Sequence, residues 1–267
     1  MEFETIRYEV EDRIATITLN RPDQLNAVSP QMVRELRDAY AAVESDEAVW
    51  IAIVTGTGRA FCAGADVTEI PADGRVICEE PYLSTLPQWE APQEATPPFR
   101  SMTKPVLAAI NGLCCGAGLD LVTTGDIVIA SERAEFFDPH VSIGLVSGRE
   151  MARLARVLPL NIAMRVALTG RHERLSAQRA FELGMVSEVV PHDRLLERAV
   201  EIAALVNRNA PLAVRGTRLA IRKGLDLPLH EAEILAETFR ERVLRTDDAK
   251  EGPRAFVEKR APEWKCR

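Results

Sequence analysis

The sequence predicts an α/β core that gives way to helices alone, and three observations carry that prediction. Short apolar runs alternate with amphipathic stretches up to about residue 190, and beyond that point only helical periodicity remains. Aromatic residues make up 5% of the chain, so its interior is built mostly from Leu, Ile, Val and Ala. Hydrophobic residues at 46% and charged residues at 27% are the balance of an ordinary globular protein, which excludes wholesale disorder and a fibrous chain.

Taken in order, Arg13–Leu19 alternates apolar and polar side chains and reads as a strand. Asn20-Arg21-Pro22-Asp23 is a turn. Ser29 then N-caps a helix with Pro30 at its first position, and Met32, Val33, Leu36, Ala39, Tyr40 and Val43 recur along it at helical spacing. Trp50–Thr55 is a buried strand ended by Gly56 and Gly58. Residues 71–98 carry Pro71, Pro81, Pro87, Pro92, Pro97 and Pro98 and read as a long loop with room for one short helix, either a lid or pocket wall or a floppy excursion. Leu86, Trp89 and Phe99 in and beside it are bulky enough to line an apolar site. Val106–Ile110 and Ile127–Ala130 are further strands, with a helix from about Leu119 to Thr124 between them. Ser147-Gly148-Arg149-Glu150 fits a capping box at the start of the next helix. Leu160–Leu168 and Ser176–Leu183 are helical, the latter stopped by Gly184, and Ser187–Val190 is a short strand. Helices over about 193–208, 212–223, 229–245 and 247–259 complete the chain.

The 267 residues fit one large domain or two small ones. A net charge of −7 argues against a nucleic-acid partner or an anionic membrane surface, while leaving room for a local basic pocket. The five cysteines form no C-x-x-C pair, and their odd number argues against a disulfide framework. The N-terminus is too charged for a signal peptide, no run approaches the roughly 18 apolar residues of a membrane span, and the ending carries no lipidation or peroxisomal signal. The expectation is a reduced cytoplasmic protein.

Several familiar signatures are nearly present and fail. Gly56-Thr57-Gly58 and Gly116-Ala117-Gly118 lack the third glycine of a dinucleotide fingerprint. Ser147-Gly148 lacks the glycine that a hydrolase elbow needs before its serine. The histidines, at 140, 172, 192 and 230, have no metal-ligand spacing. What remains is a pair of turns rich in Gly and Ala, each following a buried strand: Arg59–Asp66 and Asn111–Asp120. Small side chains let a ligand approach the backbone, and a helix start exposes unpaired N–H groups, so two such turns suit a developing oxyanion. Close strand–helix packing is the alternative explanation.

These residues carry a resemblance. Ala60-Phe61-Cys62-Ala63-Gly64-Ala65-Asp66, Lys104–Gly112 and Gly116-Ala117-Gly118, together with Leu19–Ala27 and Glu251–Phe256, resemble the enoyl-CoA hydratase/isomerase (crotonase) superfamily nearly from end to end. The resemblance implies a spiral of ββα turns over about 1–195, followed over 196–267 by helices that assemble a homotrimer or a dimer of trimers. It implies an acyl-CoA substrate, with coenzyme A entering as part of that substrate and no separate cofactor or metal. It places the oxyanion hole at the backbone N–H groups of Ala65 and Ala117, and CoA contacts at Leu25, Ala27, Ala63, Ala65, Asp66, Val67 and Lys259. The activity it implies is hydration of a 2-enoyl-CoA. The alternatives are double-bond isomerisation, thioester or carbon–carbon hydrolysis through His140, or CoA-ester binding without catalysis.

The two glutamates usual in the family fall here at Asp120 and His140. A carboxylate one methylene shorter displaces its oxygens by about a bond length, and misplacement of this order costs roughly 100-fold. Histidine, with an ordinary pKa near 6.5, suits proton transfer at neutral pH. Glu150 is a further acid/base candidate, although the capping box offers it a structural role. Asp138 precedes Pro139, where a turn explains it. Cys114 and Cys115 have no visible base and read as small buried filler.

Overall fold

The computed structural model describes residues 2–66, 68 and 102–267. Val67 and the loop over 71–98, with Leu86, Trp89 and Phe99 in or beside it, lie outside the described residues.

The strands of the first sheet are β1 (Ile6–Glu11), β2 (Ile14–Leu19), β3 (Ile51–Gly56), β5 (Val106–Ile110), β7 (Ile127–Ser131) and the three-residue β10 (Glu188–Val190). They form one sheet in the order β1-β2-β3-β5-β7-β10, antiparallel at β1 and parallel from β2 onward. A second sheet is built from β4 (Ala60–Cys62), β6 (Leu113–Cys115), β8 (Glu135–Phe137) and β9 (Leu175–Ser176). Three times the chain lays a strand in the first sheet and the next strand in the second: β3 then β4, β5 then β6, β7 then β8. That repeat is the spiral of ββα turns.

Side chains alternate across the first sheet. Ile14, Ile51, Ile53, Leu107, Ala109, Ile129 and Val190 pack against Leu195, Ala199 and Ala203 of α6 (Leu195–Asn207). On the other face Ile17, Leu19, Val54, Ala108, Ile110 and Val128 meet Met32, Leu36, Ala39 and Tyr40 of α1 (Pro30–Ser45), and beyond them Phe61, Cys62, Cys114 and Phe136 of the second sheet. With both faces covered, the central strands are continuous apolar runs, as expected of a buried parallel sheet. Ser29 caps α1 as its sequence requires, its hydroxyl accepting the Met32 N–H at 3.1 Å.

The remaining helices are α2 (Ala117–Thr124), α3 (Arg149–Leu154), α4 (Leu160–Thr169), α5 (Ala177–Glu182), α7 (Pro211–Gly224), α8 (Leu229–Leu244) and α9 (Asp247–Glu258). Arg218 and Arg222 of α7 both bind the Asp126 carboxylate, at 2.6 and 2.9 Å, and fasten that helix to the sheet. α7 packs along α8, and α8 carries α9. Among the described residues no helix is long and apolar enough to cross a membrane.

Four short strands and β1 differ from the sequence expectation. The segments 59–66 and 111–120 contain β4 and β6 in addition to turns. Each short strand has two or three residues, too few for an alternating pattern to register. In β1 the solvent-facing residues are charged or polar, so its apolar face is reduced to alternate positions beside β2.

Candidate active site

The first turn is held by a buried asparagine. Leu25 and Asn26 both have left-handed backbones, with φ of 53° and 55°. Asn26 is fully buried; its Oδ1 accepts the Arg21 N–H at 2.8 Å, and its Nδ2 donates to the Thr57 and Ala60 carbonyls at 2.9 and 2.8 Å. The loop so fixed lies along residues 63–66. Ala63 N–H donates to Leu25 O at 3.1 Å, Val28 N–H to Gly64 O at 2.8 Å and Asp66 N–H to Val28 O at 3.0 Å. In this parallel bridge Gly64 and Asp66 supply the bonding groups, so the N–H of Ala65 is turned to the opposite side. Leu25, Ala27, Ala63, Ala65 and Asp66 are thereby brought together. The Asp66 carboxylate is occupied structurally: it accepts from Thr68 N–H at 3.1 Å and from the Thr68 hydroxyl at 2.6 Å, and it pairs with Arg21 at 2.8 Å.

The second turn meets the first. Gly116 adopts φ 51° and ψ −120°, a conformation open to glycine. A Cβ there would stand 3.3 Å from the Gly64 Cα and 3.8 Å from the Pro139 ring. One on Gly64 would stand 3.9 Å from the Ala117 nitrogen. Gly118 allows close packing, since a Cβ on it would lie 2.9 Å from the Cys62 carbonyl oxygen. Ala117 begins α2, where an N–H has no partner within the helix. Neither Ala65 nor Ala117 donates its N–H to a backbone carbonyl among the described residues. The two turns thus lie against one another, each carrying a backbone N–H that no carbonyl among the described residues takes.

Asp120 follows three residues after Ala117, about 4.5 Å along the axis of α2 and on the same side. It is buried, and Arg153 Nη1 donates to its Oδ1 at 2.6 Å while Arg149 Nη2 lies 3.9 Å from Oδ2. Both arginines come from α3 and are one turn apart. The carboxylate is therefore clamped, not loose.

Pro139, in contact with Gly116, brings the third part. The Asp138 side chain has no exposed surface. It faces His140 Nδ1 at 2.9 Å, accepts the His140 backbone N–H at 3.0 Å and accepts the Ser147 hydroxyl at 2.9 Å. Burial acts to raise the Asp138 carboxyl, but the His140 ring, the His140 N–H and charge, and the Ser147 hydroxyl together hold it below the ordinary carboxylate range. An ionised carboxylate only accepts, so the contact with Asp138 calls for a proton on Nδ1. The imidazole retains 23% of its exposure, enough to meet a substrate.

The capping box at Ser147 does not form. Ser147 is drawn to the buried Asp138, and α3 starts after Gly148 without a side-chain cap. This frees Glu150, which is 8% exposed and takes no hydrogen bond or ion pair among the described residues. Cys115 is no nucleophile: burial first, then Cys62 and Asp138, push its thiol up to about 12. Burial likewise raises the Cys114 thiol. Lys259 lies exposed at the end of α9, while Arg254 and Arg260 are tied to Glu258 and to Glu251 and Glu258. Sequence reasoning missed three residues of the site. Asp138 has a signal in the Asp-Pro-His spacing, which lets one carboxylate reach both the ring and the N–H of the histidine. Arg149 and Arg153 have only their one-turn spacing.

The sequence and the fold have known counterparts. The enoyl-CoA hydratase/isomerase family profile matches residues 9–267. The chain is 38% identical to mevalonyl-coenzyme A hydratase of Aspergillus fumigatus, over 94% of this chain and 91% of that one. It is 35% identical to (E)-benzylidenesuccinyl-CoA hydratase of Thauera aromatica, over 97% and 98%. The crystal structure of an enoyl-CoA hydratase/isomerase from Mycobacterium paratuberculosis superposes with a TM-score of 0.92, at 74% identity and full coverage of both chains. The chain belongs to the enoyl-CoA hydratase/isomerase family.

Proposed function

We propose that this enzyme adds water to a 2-enoyl-CoA, and the contact of three turns at Gly64, Gly116 and Pro139 is the observation that carries the reading. The thioester oxygen accepts from Ala65 and Ala117 N–H. His140 Nε2 takes a proton from water as the hydroxyl adds to Cβ, and the electron pair moves onto the thioester oxygen as an enolate. The imidazolium, steadied by Asp138, returns the proton to Cα, so one water is added in total and the histidine is regenerated. Asp120, clamped by Arg153, accepts a hydrogen bond from the attacking water and fixes its position. Each backbone donor is worth about 2.7–4 kcal/mol to the enolate-like transition state.

Leu25, Ala27, Ala63 and Asp66 border the first turn and hold the CoA portion, with exposed Lys259 serving its phosphates. Coenzyme A belongs to the substrate, and no separate cofactor takes part. Exposed Ile221, Leu225, Leu229, Phe256 and Val257 on or beside α7–α9 suit burial between copies, in a homotrimer or a dimer of trimers. The acidic chain is assigned to the cytoplasm, without a nucleic-acid or membrane partner.

Glu150, which takes no hydrogen bond or ion pair among the described residues, favours a second reading, in which it shuttles a proton between carbons and moves the double bond. Weighing the products of a panel of acyl-CoAs separates the two. Hydration predicts the mass of one water gained with CoA retained. Unchanged mass with a shifted double bond supports isomerisation, and free CoA or no turnover contradicts both.

A further inference from the structure

The serine ahead of α3 forgoes a local bond for a remote one. Its sequence offers a capping box with Glu150, yet α3 starts after Gly148 with no side-chain cap. An N-cap hydroxyl is worth about 1 kcal/mol to its helix. The Ser147 hydroxyl instead donates to Asp138 Oδ2 at 2.9 Å, its only hydrogen bond among the described residues. That carboxylate has no exposed surface, so water cannot stand in for the donor. Its other oxygen, Oδ1, accepts the His140 N–H at 3.0 Å and faces Nδ1 at 2.9 Å. A hydroxyl, a buried carboxylate and an imidazole thus stand in a row. The order is Ser-Asp-His: the serine donates to the acid and has no bond to the base, so it is not set up as a nucleophile. A local sequence rule broken in favour of a buried bond is expected where function sets the geometry.

We propose that Ser147 is a positioning residue: its hydroxyl fixes the Asp138 carboxylate with Oδ1 against the His140 ring, so that the ring meets the substrate in one orientation. The inference rests on the reading of His140 as the residue that moves the proton. An Asp carboxylate turns easily about its last bond. Nδ1 already lies 3.1 Å from Oδ2, so a carboxylate freed of Ser147 can offer the ring its other oxygen. A neutral donor suits this place. A lysine or arginine there would cancel the negative charge that steadies an imidazolium, and a second acid would oppose that charge. Burial acts to raise the Asp138 carboxyl, and the His140 contacts and the Ser147 hydroxyl work against it. Cys115 of β6 also faces Asp138, but as a thiol pushed up to about 12 it adds no charge near neutral pH. The Arg174 guanidinium, 5.3 Å from the centre of the neighbouring Phe137 ring, is tied to Glu135.

The test removes the hydroxyl and then restores it. Ser147→Ala leaves a buried carboxylate oxygen without its donor, and Ser147→Thr keeps the hydroxyl; circular dichroism checks that both fold. In Ser147→Ala, kcat for a 2-enoyl-CoA is expected to fall about 10-fold with KM within about 2-fold, the worth of one hydrogen bond to a charged group. Ser147→Thr is expected to return kcat to within about 3-fold of the unaltered enzyme. The acid limb of kcat against pH is expected to move to higher pH in Ser147→Ala. Loss of a donor raises the Asp138 carboxyl, so as pH falls it is protonated sooner and its support of the imidazolium disappears earlier. The ring is also followed without substrate, by nitrogen NMR of enzyme carrying isotope-labelled histidine, with His140 identified as the signal missing from His140→Ala. Ser147→Ala is expected to shift the His140 ring signals and their titration. An acid limb and His140 signals that both stay in place in a folded Ser147→Ala enzyme overturn the proposal, whatever kcat does. A folded Ser147→Thr enzyme no more active than Ser147→Ala also overturns it. Shifted His140 signals without turnover of any 2-enoyl-CoA sink hydration and sustain this inference. Normal turnover by Ser147→Ala with unshifted signals does the reverse.

Discussion

At the scale of single residues, the proposed chemistry rests on a histidine whose companion looks ordinary in sequence. Asp138 precedes a proline, and a turn explains that pattern without any catalysis. Only the structure reveals that Pro139 directs the following histidine back over the carboxylate, so that one buried side chain holds both its ring and its backbone. In the proposed mechanism Asp138 is thus a positioning residue. Asp138→Asn is expected to lower kcat with little change in KM and to shift the pH profile of kcat, whereas a purely structural role would lower the amount of folded enzyme and leave the profile in place. His140→Ala is expected to lower kcat about 100- to 10,000-fold, measured as loss of enoyl absorbance. The same carboxylate links stability to pH. Its pKa in the folded protein is depressed, so its contribution is complete above the unfolded value near 3.9 and is lost as pH falls through the folded value. Urea unfolding across about pH 3–6 is expected to show the stability advantage of the native sequence over Asp138→Asn shrinking toward the acid end. Asp120 and His140 stood out as candidates because a motif marks their positions. Arg149 and Arg153 were not, because charges one turn apart on a short helix look the same whether they face solvent or a buried carboxylate.

At the scale of elements, the sheet that packs was readable and the sheet that carries the site was not. β2, β3, β5 and β7 are long enough for burial to impose an apolar run. The three residues of β4 or β6 are dictated by contacts with distant chain, as in the register pairing Cys62 with Cys114. The failed capping box teaches the same lesson: Ser147 had a local partner available in Glu150 and a buried carboxylate nine residues back won it. Turn packing is correspondingly intolerant. Gly118→Ala pushes a methyl group toward the Cys62 carbonyl and is expected to cost about 1–3 kcal/mol in chemical denaturation. Asn26→Ala strands the Arg21 N–H and two carbonyls, and a loss of about 1–3 kcal/mol is expected for leaving such groups unpaired.

At the scale of the whole molecule, the spiral serves to bring remote segments to one point. Residues 25–28, 63–66, 116–120 and 138–153 are far apart in the chain, yet contacts at Gly64, Gly116 and Pro139 join them. Among the described residues, the helices after α6 add none to that junction within one copy, and their exposed Phe256 and Val257 argue for contact between copies. Sedimentation of a Phe256→Asp, Val257→Asp double variant is expected to show smaller particles than the unaltered protein; equal sedimentation of the two contradicts that role. The central claim, that two backbone N–H groups hold the reacting thioester, is tested most directly at Ala117. Proline is tolerated at the first position of a helix and has no N–H, so Ala117→Pro deletes the donor while sparing α2. The account predicts that kcat for hydration of a 2-enoyl-CoA falls about 100- to 1,000-fold in this variant while its circular dichroism is retained. A folded Ala117→Pro enzyme with kcat within about 3-fold of the unaltered enzyme would contradict it.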